Sequence, residues 1–307
     1  MSVAEPRPAA PLRPSLQADV RPTLSWTAAA HGLPLLSELV LHNPGEAPLP
    51  ALTLELWTEP PVLPGQSIPL PALEAGAQRA LPPIPCGATL GALAALDGPT
   101  AARLRARIPA PDGEAALWEA SWTLQALPPA HWAGAGAPPE LLLAFVQPQL
   151  PLLDGLGAPA SPGPLTAAGQ RQRLSAALAH LAGLRTAAGA PLRLDPAPPR
   201  WWDEGQPVRP LPDLRAAGAW SPLERAVQAA AALERAGVDA QLVLFADGPR
   251  LGCWLEARPQ PAPLQDDPAA LRTRADQGEL LILDLDAIFG GLSLDQAGAR
   301  GRDALQP

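Results

Sequence analysis

The stretch that decides the fold of the C-terminal half is "SPLERAVQAAAALERAGVDAQLVLFADGPRLGCWLE", residues 221–256. It opens with a complete helix-start signal. Ser221 can cap, Pro222 takes the first helical position, and Glu224 stands three residues after the cap, which makes a capping box. Leu223, Ala226, Val227, Ala230 and Leu233 recur at helical spacing and form an apolar face, with Arg225, Gln228 and Arg235 on the other side. Gly237 is a natural residue for the left-handed turn that ends a helix. The spacing therefore predicts a helix over 222–236. Periodicity then changes to strand type in "AQLVLFA" and "RLGCWLE", with "DGP" as a hairpin turn between them. "ELLILDLD" reads as a third strand and "SLDQAGARGRDAL" as a final short helix. Helices followed by an antiparallel sheet make an α+β pattern.

Upstream, "LTAAGQRQRLSAALAHLAGLRTAAG" predicts a helix from about Thr166, with Leu174, Ala177, Leu178, Leu181 and Leu184 at helical spacing and Gly189 as its stop. Residues 190–220, including "WWDEGQPVRPLPD", show little regular periodicity. Residues 128–165 read as a bridge, with a short apolar helix from about Pro139 to Pro148 and a "GAPASPGP" loop. From about Leu16 to Leu127 the pattern is one of short strands. "LSELVLHN" runs into the turn "PGEAP". "LTLELWTEP" alternates Leu52, Leu54 and Leu56 against Thr53, Glu55 and Trp57. "ARLRARIPA" and "ALWEASWTLQAL" flank "PDGE". This spacing predicts an immunoglobulin-like antiparallel β-sandwich at 16–127. Residues 1–15 are rich in Pro and Ala and read as a disordered tail. The expected class is mixed β and α+β, with the α+β domain at 166–307.

Composition bounds the function. The chain has 307 residues, 43 of them Pro, and a formal net charge of −8; every basic residue is Arg. Without concentrated basic residues, direct nucleic-acid binding is disfavoured. His31, His42, His131 and His180 show no metal-ligand spacing with one another or with Cys86 and Cys253, so no metal or cofactor is expected. The start "MSVAEPRPAAPLRPS" lacks the apolar segment of a secretory signal, and no run of about 18 apolar residues suggests a membrane span. The reading is cytoplasmic.

The candidate sites each have a plainer explanation. Ser221 could be a nucleophile in the field of a helix start, yet the cap role accounts for it, and the following strand pair holds no His to act as base. Cys253 alternates with Leu251 and Leu255 and reads as core. Cys86, in "IPCGAT", has no evident partner. Asp284 and Asp286 fall on one face of the third strand, where paired carboxylates could do acid–base work or bind a cation, or simply line a polar face or strand end. Trp201, Trp202, Asp203, Glu204 and Arg209 form an aromatic and charged group that either contacts a ligand or partner or pins its loop.

Several segments, taken in order, resemble the N-terminal region of large bacterial superfamily 1 helicase-related proteins. They are "LPLLSELVLHNPGEAPLPALTLELWTEPP", "LQALPPAHWAGAGAPPELLLAFVQPQ", "WWDEGQPVRPLPD", "LERAVQAAAALERAGVDAQLVLFADGPRLGCWLE" and "LDQAGARGRDAL". In those proteins a β-sandwich and a transglutaminase-like (papain-like) segment precede domains of unknown function and the helicase. The resemblance implies a Cys-His-acid triad. Its cysteine position falls here on Pro222 and its histidine position on Gly248; the acidic position falls near Asp286. A proline and a glycine supply neither nucleophile nor base. No G-x-x-x-x-G-K-[ST] phosphate loop occurs, since there is no Lys. The resemblance thus implies the detached front end of a larger architecture, with a degenerate site. It also implies a non-catalytic interaction or scaffolding role beside a separately encoded ATPase or helicase, in bacterial defence or nucleic-acid processing. Two other readings stand beside it. One is an acyl-transfer enzyme with a rearranged site, using Ser221 or Cys253 with His180. The other is a small-ligand or peptide-binding module using Trp201 and Trp202.

Overall fold

The computed structural model describes residues 13–111, 115–156, 166–195, 198–255 and 265–305. The chain divides into two compact units, Met1–His131 and Trp132–Pro307.

Among the described residues, the first unit is built from nine strands and two short helices. The strands are β1 (Ser15–Val20), β2 (Thr23–Leu24), β3 (Pro34–His42), β4 (Leu52–Glu59), β5 (Gln66–Leu70), β6 (Gln78–Ala80), β7 (Ile84–Pro85), β8 (Thr100–Pro109) and β9 (Ala116–Ala126); the helices are α1 (Trp26–Ala30) and α2 (Leu90–Ala94). One sheet has the order β2-β9-β8-β4-β5, and the other β1-β3-β6 with β7 also on β3. All pairings are antiparallel except the two-residue β2–β9 contact. Because strand side chains alternate, Leu52, Leu54 and Leu56 point inward together with Ala102, Leu104, Ala106 and Ile108. Leu35, Leu39 and Leu41 of the other sheet join the same core. The expected "PGEAP" turn is held by the residue before it, Asn43. Buried Asn43 gives its amide N–H groups to the carbonyls of Ala47 and Glu74, and its Oδ1 accepts from Gly45 N. Of the "PDGE" turn, residues 112–114 lie outside the described residues, as do residues 1–12 of the expected tail. Ser15 already belongs to β1.

The second unit begins at Trp132, so residues 132–156 pack within it rather than bridging. The 3-10 helix Pro139–Phe145 buries Leu141, Leu142 and Phe145, and Leu153 of the 3-10 helix Pro151–Leu156 joins the main core. The "GAPASPGP" loop lies outside the described residues. Helix α3 spans Ala167–Ala182 and ends at Gly183, earlier than the Gly189 stop expected from spacing. The chain turns there because Arg185 comes back to pair with Pro191, and Gly189 serves that turn with φ +81°. The segment 190–220 is more regular than its sequence suggests. It contains the two-residue strands β10 (Arg193–Leu194) and β11 (Ala219–Trp220), which pair in parallel, and helix α4 (Leu211–Ala217), closed by Gly218 in the left-handed conformation.

Helix α5 (Pro222–Arg235) is the centre of this unit. Its end is a Schellman turn: Gly237 N donates to Glu234 O and Val238 N to Leu233 O. Every residue from Leu223 to Leu233 is buried, including Arg225 and Gln228, which the apolar spacing placed on an outer face. The run Ala229–Ala232 explains this. Methyl side chains let neighbours approach on all sides, and a helix closed in all round has no solvent face left. One side meets Leu174, Ala177, Leu178 and Leu181 of α3; another meets Leu251, Cys253 and Leu283 of the sheet.

That sheet has the order β12 (Ala240–Phe245), β13 (Gly248–Trp254), β14 (Leu280–Leu283), all antiparallel. Phe245 pairs with Gly248, leaving Ala246 and Asp247 as the turn. Its second face is also covered: Trp254, Leu280 and Ile282 pack with Ala275 of α6 (Pro268–Asp276) and with Leu305. The strand expected over "ELLILDLD" stops at Leu283. Asp284 is the N-cap of a short helix, α7 (Leu285–Phe289), and its Oδ1 accepts from the backbone N of Asp286 and Ala287. The two carboxylates therefore do not share a strand face; a capping aspartate breaks the strand before Asp286 is reached. Helix α8 (Leu294–Asp303) then lies against β14 through Gly298 and Gly301.

Candidate functional site

The start of α5 is closed by hydrogen bonds. Ser221 Oγ accepts from Glu224 N at 3.2 Å, and Glu224 Oε2 accepts from Ser221 N at 2.8 Å, so the capping box is formed. Glu224 has no exposed side-chain surface, and its carboxylate also receives Arg209. Arg209 Nε reaches Oε1 at 2.6 Å, Nη2 reaches Oε2 at 2.9 Å, and Arg209 N reaches Oε1 at 3.1 Å. This bidentate clasp holds the Arg209 guanidinium even more firmly protonated than usual, chiefly through its hydrogen bonds with Glu224. Arg209 is thus an internal partner of the helix start. Ser221 is itself 3% exposed and committed as a cap. Pro222 follows at the first helical position.

The rearranged-site residues are each engaged elsewhere. Cys253 is fully buried in mid-strand, and burial alone pushes its thiol far above the ordinary range. A thiol held protonated is a poor nucleophile. His180, in the last turn of α3, has Nε2 at 2.8 Å from Leu152 O. His180 thus bonds to the preceding 3-10 segment. Cys86 is buried too, and burial is the main cause that raises its thiol. Iodoacetamide is therefore expected to label neither cysteine in the native protein and both in denaturant, counted by intact-mass spectrometry.

Trp201 and Trp202 are tied to the unit's own backbone. Trp201 Nε1 donates to Phe245 O at 2.7 Å, and Trp132 Nε1 donates to Trp201 O at 2.8 Å. The two indoles meet edge to face, with centroids 5.7 Å apart, and Arg200 lies 5.3 Å over Trp202. Asp203 Oδ2 accepts from Arg200 N, and Glu204 lies over Gly134, whose φ of +77° and missing Cβ make room for the Trp202 carbonyl. This geometry pins the loop, with Asp203 and Glu204 exposed at its surface.

A concave feature lies one turn into α5. Arg225 forms an ion pair with Asp286 across the start of α7, although its own side chain is only 5% exposed and that of Asp286 is 63% exposed. Its guanidinium lies 5.2 Å over the ring of Phe289, which meets Trp220 edge to face at 5.1 Å. Burial lowers the Arg225 pKa to about 10, with the Asp284 charge opposing the shift. Arg225 Nε is buried without a hydrogen-bond partner. These residues line a cavity of about 500 Å³ whose apolar walls include Leu181, Leu184, Leu192, Trp220 and Phe289. The residue that dominates this site, Arg225, was assigned to the outer face by spacing. The signal that identifies it is the alanine run behind it, which marks the helix as buried all round.

The positions implied by the resemblance can also be located. Gly248 opens β13, whose pairing with β14 starts at Leu251↔Leu283, and Asp286 lies in the first turn of α7, just past the end of β14. The Arg225–Asp286 pair brings the first turn of α5 to the same end of the sheet. Gly248 has φ +143° and no side chain to offer. Among the described residues, no group of three or more His, Cys, Asp or Glu could hold a metal ion, and no helix is long and apolar enough to cross a membrane. No protein-family model matches the chain, and no curated protein matches it.

Proposed function

We propose that this chain is a non-catalytic interaction or scaffolding protein. In this reading the first unit is an immunoglobulin-like sandwich and the second a degenerate transglutaminase-like domain. The observation that carries the proposal is the start of α5. Where a nucleophile would be needed there is Pro222, and the adjacent Ser221 hydroxyl is buried and used as a cap. Covalent acyl transfer needs a nucleophile and a base within reach of each other, and the described residues at this end offer an Arg–Asp pair instead. By the resemblance, the partner is a separately encoded ATPase or helicase-like protein in the cytoplasm. The net charge of −8 argues against direct nucleic-acid binding as the mode of action.

Two experiments test this. Affinity capture of the tagged chain from its native host is expected to recover a reproducible partner carrying a nucleotide-hydrolysing motor. Recovery of no reproducible protein overturns the scaffold role. Incubation with a fluorophosphonate probe is expected to leave the folded protein unlabelled. Labelling that disappears in Ser221→Ala overturns the non-catalytic reading.

A further inference from the structure

We infer that the cavity beside α5 is a binding site for an apolar carboxylate, and that Asp286 occupies the carboxylate's place on Arg225 as a tethered competitor. The inference goes beyond the scaffold role and does not depend on a protein partner.

Arg225 is the fixed half of the pair. Its side chain is 5% exposed, held under Phe289 and rooted in a helix that is buried on all sides. Asp286 is the movable half, with 63% of its side chain exposed in the first turn of a five-residue helix. It touches the guanidinium at Nη2, and Nε, on the same edge of the guanidinium plane, has no partner. A carboxylate that met Arg225 squarely would take both N–H groups of that edge. The chain itself contains the filled form of this arrangement. Arg209 clasps Glu224 through the same two atoms, Nε and Nη2, at 2.6 and 2.9 Å. At Arg225 the edge is only half used.

The walls define the rest of the ligand. Leu181, Leu184, Leu192, Trp220 and Phe289 offer apolar surface, and a volume of about 500 Å³ suits a small molecule. Charge also fits. Asp284 and Asp286 both lie near Arg225, so a third carboxylate binds weakly while Asp286 stays in place. Swinging Asp286 into water restores the charge balance that the protein has without ligand.

The test is calorimetric titration of the purified full chain with 3-phenylpropanoate and with its amide, 3-phenylpropanamide. Wild type is expected to bind the acid weakly and the amide not measurably. Asp286→Asn, which removes the competing charge, is expected to tighten binding of the acid roughly tenfold, the scale of one charge-assisted hydrogen bond. Arg225→Met is expected to lose it. Circular dichroism establishes that each variant is folded. The exposed Asp286 substitution keeps the test decisive if Arg225→Met does not fold. A parallel pair of Leu-terminated tripeptides, one with a free and one with an amidated C-terminus, separates a chain terminus from a free acid as the source of the carboxylate. Tighter binding of either free carboxylate in Asp286→Asn supports the site. Equal binding of acid and amide, or no gain in Asp286→Asn for any of the four probes, overturns it. No partner protein enters these measurements, so their failure is distinct from failure to capture one.

Discussion

Glu224→Ala is expected to destabilise the second unit by about 3 kcal/mol, the largest single-residue effect at this end of the fold. The carboxylate is completely buried and accepts from Ser221 N, Arg209 N and both the Nε and Nη2 of Arg209. Removing it leaves a guanidinium in a partly buried position without its counter-charge and strips half of the capping box. Arg209 keeps 29% of its side chain exposed, which moderates the penalty for its stranded charge and puts the value at the low end for a broken buried pair. Ser221→Ala, which removes only the cap hydroxyl, is expected to cost about 1 kcal/mol. The double variant Arg209→Ala, Glu224→Ala is expected to be less destabilised than the sum of its parts, because neither charge is then left alone. Urea denaturation followed by far-ultraviolet circular dichroism measures these three variants and the single Arg209→Ala. A loss of under 1 kcal/mol in Glu224→Ala would show that the clasp does not hold the start of α5 in place.

Gly301→Ala is the second large effect, expected at about 3 kcal/mol. A Cβ built on Gly301 stands 2.1 Å from the carbonyl oxygen of Ile282 and 2.6 Å from its carbonyl carbon. Both are backbone atoms of β14, so neither can rotate away. Helix α8 would have to lift from the strand, and with it the hydrogen bond from Asp284 N to Ala297 O. Gly298→Ala is the built-in control. Its Cβ would meet Leu281 Cδ1 at 2.7 Å, the far end of a flexible side chain. Adjustment there is cheap, and alanine recovers up to about 1 kcal/mol of helix propensity. Gly298→Ala is therefore expected to be near neutral while Gly301→Ala melts well below wild type. Equal melting temperatures for the two variants would refute the close backbone approach.

Part of this protein is determined locally and was legible in its sequence. The capping box of α5, its glycine-ended C-terminus and the alternation of Leu52, Leu54 and Leu56 depend on residues within a few positions of one another. Short-range rules therefore reached them. The candidate site did not depend on such rules. Arg225 was read as outward because its spacing leaves the apolar stripe, whereas segments far away in sequence close over that side of the helix. Asp284 and Asp286 extended an apolar strand pattern, and only the hydrogen bonds of Asp284 with the next turn end the strand before them. The segment 190–220 gains its order from pairing Arg193 and Leu194 with Ala219 and Trp220, a contact across more than a full helix of intervening chain. The sequence by itself determined the elements set by local caps and periodicity, such as α5 and β4. The tertiary structure decided which polar residues are buried, and that is what turns an arginine on a helix into the floor of a cavity.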